Sequence, residues 1–319
     1  MNGLNLSQSP YADFMHEGKA TIGDLTLHFE VGGATDAPTI LLIMGLGAQM
    51  LIWPDAFCKA LVDAGYRVIR FDNRDIGLST KIRHKGPRLG YLKLMGRFSL
   101  GLPNSGSPYT LHEMADDTHL LIKALGLSSV HVIGASMGGM IAQILAAKHP
   151  EQVKSLNLLF TSNNRALLPP PFPKQLLSLI GRPKTMDEAG VIAHATRLYQ
   201  TIGTPGEVNI EESKATAHKL FHRSFHPAGV VQQYLAILCT GSLTEIDRVI
   251  SAPTLVVHGS KDKLLPPAHG RAVAKAIRGA RFELMEGMGH DIPKAYIPRL
   301  VAAFSSNIMS FEQTATRAS

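Results

Sequence analysis

Six short runs rich in Val, Ile and Leu constrain this chain most. They are Thr39 to Met44, Tyr66 to Phe71, Val130 to Ile133, Val153 to Phe160, Pro253 to Val257 and Arg281 to Met285. A strand with one wet face alternates apolar and polar residues, whereas a strand covered on both faces is apolar almost throughout. The runs therefore predict a mostly parallel sheet flanked by helices. Between them, Pro54 to Ala64, Leu111 to Leu125, Met137 to Lys148 and Ile292 to Ile308 carry apolar residues at spacings of three and four, the helical period. Strands alternating with helices predict an α/β architecture with right-handed crossovers. Upstream, Ala20 to Ile22 and Leu25 to Phe29 flank Gly23-Asp24 and read as an antiparallel hairpin. With 45% hydrophobic and 18% charged residues, the 319-residue chain has a globular composition, not a disordered or fibrous one.

One region breaks the rhythm. From Asn163 to Asp247 no strand pattern occurs, and helical segments follow Leu168-Pro169-Pro170-Pro171-Phe172-Pro173. The expected organisation is a core over 18–162 and 248–310, with a helical cap over 163–247 inserted after the sixth strand. Open α/β sheets bind ligands at their carboxyl edge, so a cap there shapes a pocket.

Gly134-Ala135-Ser136-Met137-Gly138-Gly139 follows a strand run and opens a helix. That is the context of a G-x-S-x-G nucleophile elbow. Gly134 and Gly138 remove side chains that would crowd the turn, and the helix N-terminus favours developing negative charge. A serine needs a base, and the elbow order is Ser, then Asp or Glu, then His. Among fourteen histidines, His290 follows a strand run in Gly287-Met288-Gly289-His290, on the same edge as Ser136. Asp262 lies just past Pro253 to Val257 and is the expected acid, holding the His290 tautomer. Asp247 lies before that strand and is the weaker candidate. Asp291 is expected to cap the following helix, and His258 to be a packed strand-end residue.

Two backbone donors are needed for a tetrahedral oxyanion. Met137, after the serine, supplies one. The loop Gly45-Leu46-Gly47-Ala48-Gln49 supplies the other, with Leu46 the first choice and Gly47 the next. Gly45, Gly47 and Met288 are expected to touch substrate. Met44, Met50, Met137, Met140 and Met288 read as an adaptable apolar acyl pocket or as ordinary core.

Together these elements resemble the α/β-hydrolase superfamily, over about residues 20 to 308. Asp72-Asn73-Arg74-Asp75-Ile76-Gly77-Leu78-Ser79 resembles its D-x-R-x-x-G-x-S segment, which implies a structural brace at the sheet edge. Leu42-Ile43-Met44-Gly45, Trp53-Pro54 and the elbow resemble the branch containing aclacinomycin methylesterase. Many members carry His-Gly where this chain has Met44-Gly45, a departure that leaves the backbone donor in place. The resemblance implies a cofactor-free serine esterase with Ser136, Asp262 and His290 as triad, acting on a small-molecule ester through an acyl-enzyme. Dehalogenases and epoxide hydrolases of the superfamily carry Asp at the position of Ser136. Carbon–carbon bond hydrolases, perhydrolases of the haloperoxidase type and a non-catalytic binding protein of the same fold remain as alternatives.

The net charge is +7. Lys81, Arg83, Lys85, Arg88, Lys93 and Arg97 lie in a stretch without acids from Ile76 to His112. It reads as a solvated basic segment, with peripheral contact to an anionic membrane as the alternative. No nucleic-acid-binding signature accompanies it. His218, His222 and His226 share a spacing of four, but without an H-E-x-x-H motif and with Pro227 next, no metal is expected. Two distant cysteines and no apparent secretory signal point to a cytoplasmic protein.

Overall fold

The structure is a computed structural model that describes residues 5–83 and 90–318. Nine strands form one sheet: β1 (Ser7–Gln8), β2 (Met15–Ile22), β3 (Leu25–Gly32), β4 (Thr39–Ile43), β5 (Arg67–Phe71), β6 (Val130–Ala135), β7 (Val153–Leu159), β8 (Thr254–Gly259) and β9 (Arg281–Met285). Their spatial order is β1-β2-β3-β5-β4-β6-β7-β8-β9. The first three pair antiparallel, β3 pairs antiparallel with β5, and β5 through β9 run parallel. All six apolar runs are strands, and the hairpin turns at Gly23-Asp24. The two-residue β1 on the edge adds a strand that no sequence pattern signals, so the insertion follows the seventh strand rather than the sixth.

The helices are α1 (Asp55–Asp63), α2 (Tyr91–Ser99), α3 (Leu111–Ala124), α4 (Met137–Lys148), α5 (Pro173–Ile180), α6 (Glu188–Ile202), α7 (Ile210–Arg223), α8 (Pro227–Thr240), α9 (Thr244–Val249), α10 (Ala268–Ala276) and α11 (Ile297–Ala318). One face of the sheet packs on α3, α4 and α10 through Leu121, Ile141 and Val273. The other packs on α1 and α11 through Phe57, Leu61, Leu300 and Phe304. The last helix begins at Ile297, five residues later than its pattern predicts. Pro293 leads into a single 3₁₀ turn, Lys294–Tyr296, and Pro298 is then accommodated in the first turn of α11.

Five helices, α5 to α9, lie between β7 and β8. Of these, α9 packs on α4 and α10 and belongs to the core layer. In the basic stretch, α2 turns Leu94 against Leu235 and Leu238 of α8, so part of its apolar face is spent inside the molecule. Lys85 and Arg88 lie outside the described residues. No helix among the described residues is long and apolar enough to cross a membrane.

Chain order reverses at β4, whose neighbours are β5 on one side and β6 on the other. The loops after β4 and β6 therefore meet at the topological switch point, where α/β sheets form ligand crevices.

Candidate active site

Ser136 stands between β6 and α4 with φ 55° and ψ −122°, a conformation that side-chain-bearing residues rarely adopt. The turn holds because its neighbours are small. A Cβ at Gly134 would sit 2.5 Å from the Gly138 carbonyl oxygen, and one at Gly138 would collide with the Ile43 carbonyl. The Ser136 backbone N–H donates to Leu159 O at 3.0 Å, and its carbonyl accepts from the Thr161 hydroxyl at 2.6 Å, tying the turn to the end of β7.

Asp262 and His290 are brought together. His290 Nδ1 lies 2.7 Å from Asp262 Oδ2, and both residues are buried. Asp262 Oδ1 accepts the backbone N–H groups of Leu264 and Leu265, each at 2.9 Å. Burial raises the Asp262 carboxyl, but the charges and hydrogen bonds of His290 and His258 overcome it and hold the group well below the usual carboxylate range. His258 is fully buried at the end of β8, with Nε2 2.7 Å from Leu265 O and 3.3 Å from Asp262 Oδ2. Phe160 packs on His290 with ring centroids 4.4 Å apart.

Ser136 and His290 line one cavity of about 1810 Å³. No hydrogen bond joins Ser136 Oγ to His290 among the described residues, an arrangement that tightens in many such sites only when substrate binds. Met44, Gly45, Leu46, Gly47, Met137 and Met140 also line it. Met288 does not: it is fully buried in the core beneath, where its carbonyl accepts from Lys261 N–H. Met50 is likewise core. Asp247 makes no bond to this pair: its Oδ2 accepts from Asn163 Nδ2 at 2.9 Å, and burial pushes its carboxyl up to about 7.

Among the described residues, the Leu46 and Met137 backbone N–H groups have no partner within the protein. The Gly47 N–H is taken, donating to Gln233 Oε1 of α8 at 2.8 Å. Of the two donors expected in the loop, Gly47 is thus engaged and Leu46 is not. Gly47 has φ +69°, and an added Cβ would sit 2.9 Å from Val230 Cγ1.

The brace expected of the Asp72–Ser79 segment is present, but its partners on the cap were not visible in the sequence. Asp72 Oδ1 accepts the Met50 N–H at 2.8 Å, while Oδ2 pairs with Arg223 Nη1 of α7 at 2.8 Å. Arg223 also donates to Gln49 Oε1 at 2.7 Å, and Gln49 Nε2 donates to Leu220 O and Ser224 O. Asn73 Nδ2 donates to Met44 O at 3.0 Å. The D-x-R-x-x-G-x-S segment thus braces the β4 loop and ties it to α7. On the other side, the His290 N–H donates to Ile202 O at 2.8 Å, and Asp291 Oδ1 accepts from the Thr204 N–H and hydroxyl. Asp291 therefore fastens the turn after α6 to the His290 loop, and does not cap a helix of its own, because Pro293 delays that helix. A single sequence carries no signal for such pairings, whose members lie 22 to 175 residues apart.

A model of the α/β hydrolase fold matches residues 38–293. The chain belongs to that family. It is 28% identical to rhodomycin D methylesterase of Streptomyces peucetius over 309 residues, covering 90% of this chain and 96% of that one. Its fold superposes on an esterase from Exiguobacterium antarcticum with a TM-score of 0.70 at 22% identity, covering 91% and 98% of the two chains. It also superposes on a meta-cleavage product hydrolase from Pseudomonas fluorescens with a TM-score of 0.68 at 16% identity, covering 93% and 97%.

Proposed function

We propose that the protein is a serine hydrolase that cleaves a carboxylic ester through an acyl-enzyme. The observation that carries this reading is the buried Asp262–His290 pair opening onto the cavity that holds Ser136 on its strained turn. Asp262 fixes the Nδ1–H tautomer, leaving His290 Nε2 free to accept the serine proton. Ser136 Oγ attacks the ester carbonyl, and the oxyanion is held by the Leu46 N–H of the β4 loop and the Met137 N–H at the N-terminus of α4. His290 then protonates the leaving alcohol and activates the water that deacylates Ser136. No cofactor takes part in these steps. Gly45 and Gly47 let the backbone approach the substrate.

The wide, largely apolar cavity under α5 to α8 fits an ester whose acid part is bulky and apolar. The methylesterase named among the relatives supports an ester with a small alcohol. The runner-up chemistry, hydrolysis of a carbon–carbon bond, uses the same residues. Turnover of a p-nitrophenyl ester beside a vinylogous diketone tests the reading. It requires the ester to be cleaved and the diketone to be left largely intact. The reverse preference overturns it.

A further inference from the structure

On the outer surface of the cap, two histidines and a glutamate from neighbouring helices converge. His218 and His222 stand one turn apart on α7, so they share a face. Both direct Nε2 at one atom, Oε1 of Glu188 in the first turn of α6, at 3.2 and 2.9 Å. All three donor atoms lie within 4.8 Å of one another. His226, the third member of the sequence series, is not among them. It sits beyond the end of α7, preceding α8. The third donor comes from a different helix, which is why the sequence spacing did not reveal it.

We infer that Glu188, His218 and His222 form a divalent transition-metal site that cross-links α6 to α7. A zinc-like ion about 2.1 Å from each ligand holds neighbouring donors about 3.0–3.4 Å apart in octahedral or tetrahedral geometry. The two N···O separations already match that edge, and the two imidazole nitrogens lie within 4.8 Å of each other, so side-chain rotation brings all three onto one ion. Two imidazoles and one carboxylate suit Zn²⁺, Ni²⁺ or Cu²⁺ over Mg²⁺ or Ca²⁺, which require oxygen ligands. The His218, His222 and Glu188 side chains are 59%, 55% and 42% exposed, so water completes the coordination and a chelator removes the ion. Binding displaces any proton on the two Nε2 atoms.

The position gives the site a consequence. None of the three lines the cavity, but their helices do: α6 contributes Val191, Ala195 and Leu198 to its wall, and α7 contributes Thr216, Ala217 and Leu220. An ion bridging the start of α6 and the end of α7 fixes the spacing of these two walls. The site is therefore a clamp on the cap, outside the proposed chemistry.

The experiment uses full-length, tag-free protein freed of metal by a chelator, titrated with ZnCl₂, NiCl₂ and MgCl₂ by calorimetry and by thermal unfolding. The expected result is one saturable micromolar site for Zn²⁺ and Ni²⁺. At a hundredfold excess over Kd, Tm rises by about 4 °C. His218→Ala and His222→Ala each abolish the site and the Tm shift, and Glu188→Gln weakens it about tenfold or more. Absence of saturable Zn²⁺ binding, or a site that survives both histidine substitutions, overturns the assignment. A Glu188→Gln variant that binds as tightly as wild type overturns the cross-link, as does Mg²⁺ binding of equal strength.

Discussion

Asp262→Asn is the most informative single change, because the structure dictates how the new amide sits. Asp262 Oδ1 accepts two backbone N–H groups, Leu264 and Leu265, at 2.9 Å each. An amide NH₂ placed there would face two donors, so the asparagine carbonyl takes the Oδ1 position. Its NH₂ then occupies the Oδ2 position, 2.7 Å from His290 Nδ1. A donor there forces His290 to accept at Nδ1 and carry its proton on Nε2. That tautomer cannot take the proton of Ser136. The expected loss is about 10⁴ in kcat, as for other triads put in the wrong tautomer, or about 5 kcal/mol of barrier at about 1.4 kcal/mol per decade. The fold survives, since shape and two of the carboxylate's hydrogen bonds are kept. The assay is kcat and KM on a p-nitrophenyl ester, with a thermal scan of both proteins. A fall in kcat of less than tenfold, with an intact fold, refutes the assigned role of Asp262.

Three further outcomes follow from the same contacts. Arg223→Met leaves the buried Asp72 carboxylate without its cationic partner, which costs about 3–5 kcal/mol; a denaturant melt checks it, and the β4 loop it releases also lowers kcat. Asp247, pushed up to about 7 by burial, holds a proton that the unfolded chain releases near pH 4, so its contribution is full below pH 4 and lost as pH rises to 7. Asp247→Asn therefore raises Tm more at pH 8 than at pH 5, with an upper bound of about 4 kcal/mol at about 1.4 kcal/mol per pH unit. Ala195→Trp fills part of the cavity wall on α6, so it raises KM for a bulky apolar ester while leaving kcat on an acetate ester within about twofold; kinetics on the two substrates check it.

Much of the core was legible because the central strands β4 to β8 are covered on both faces and so announce themselves by composition. Leu41, Leu42 and Ile43 are fully buried on β4, as are Val132 and Ile133 on β6. The elbow was legible because close approach of backbone leaves glycine alone at Gly134 and Gly138. Asp262 and His290 were found through the strand ends that precede them, 28 residues apart and joined in space. What the sequence hid was long-range. Arg223 reads as one more base on a cap helix until it is seen against Asp72 and Gln49. Met288 reads as a site residue because it lies two residues from His290 in sequence, yet its side chain is fully buried in the core. Glu188 is anonymous in sequence and meets His218 and His222 only through helix pairing.

The central claim is that Ser136 is an activated nucleophile. Intact-mass and peptide-mapping analysis after treatment with a fluorophosphonate probe tests it most directly. The account predicts one adduct per chain, located on Ser136, absent from Ser136→Ala and strongly slowed in Asp262→Asn. No adduct on the folded wild-type protein, or an adduct that persists in Ser136→Ala, contradicts it.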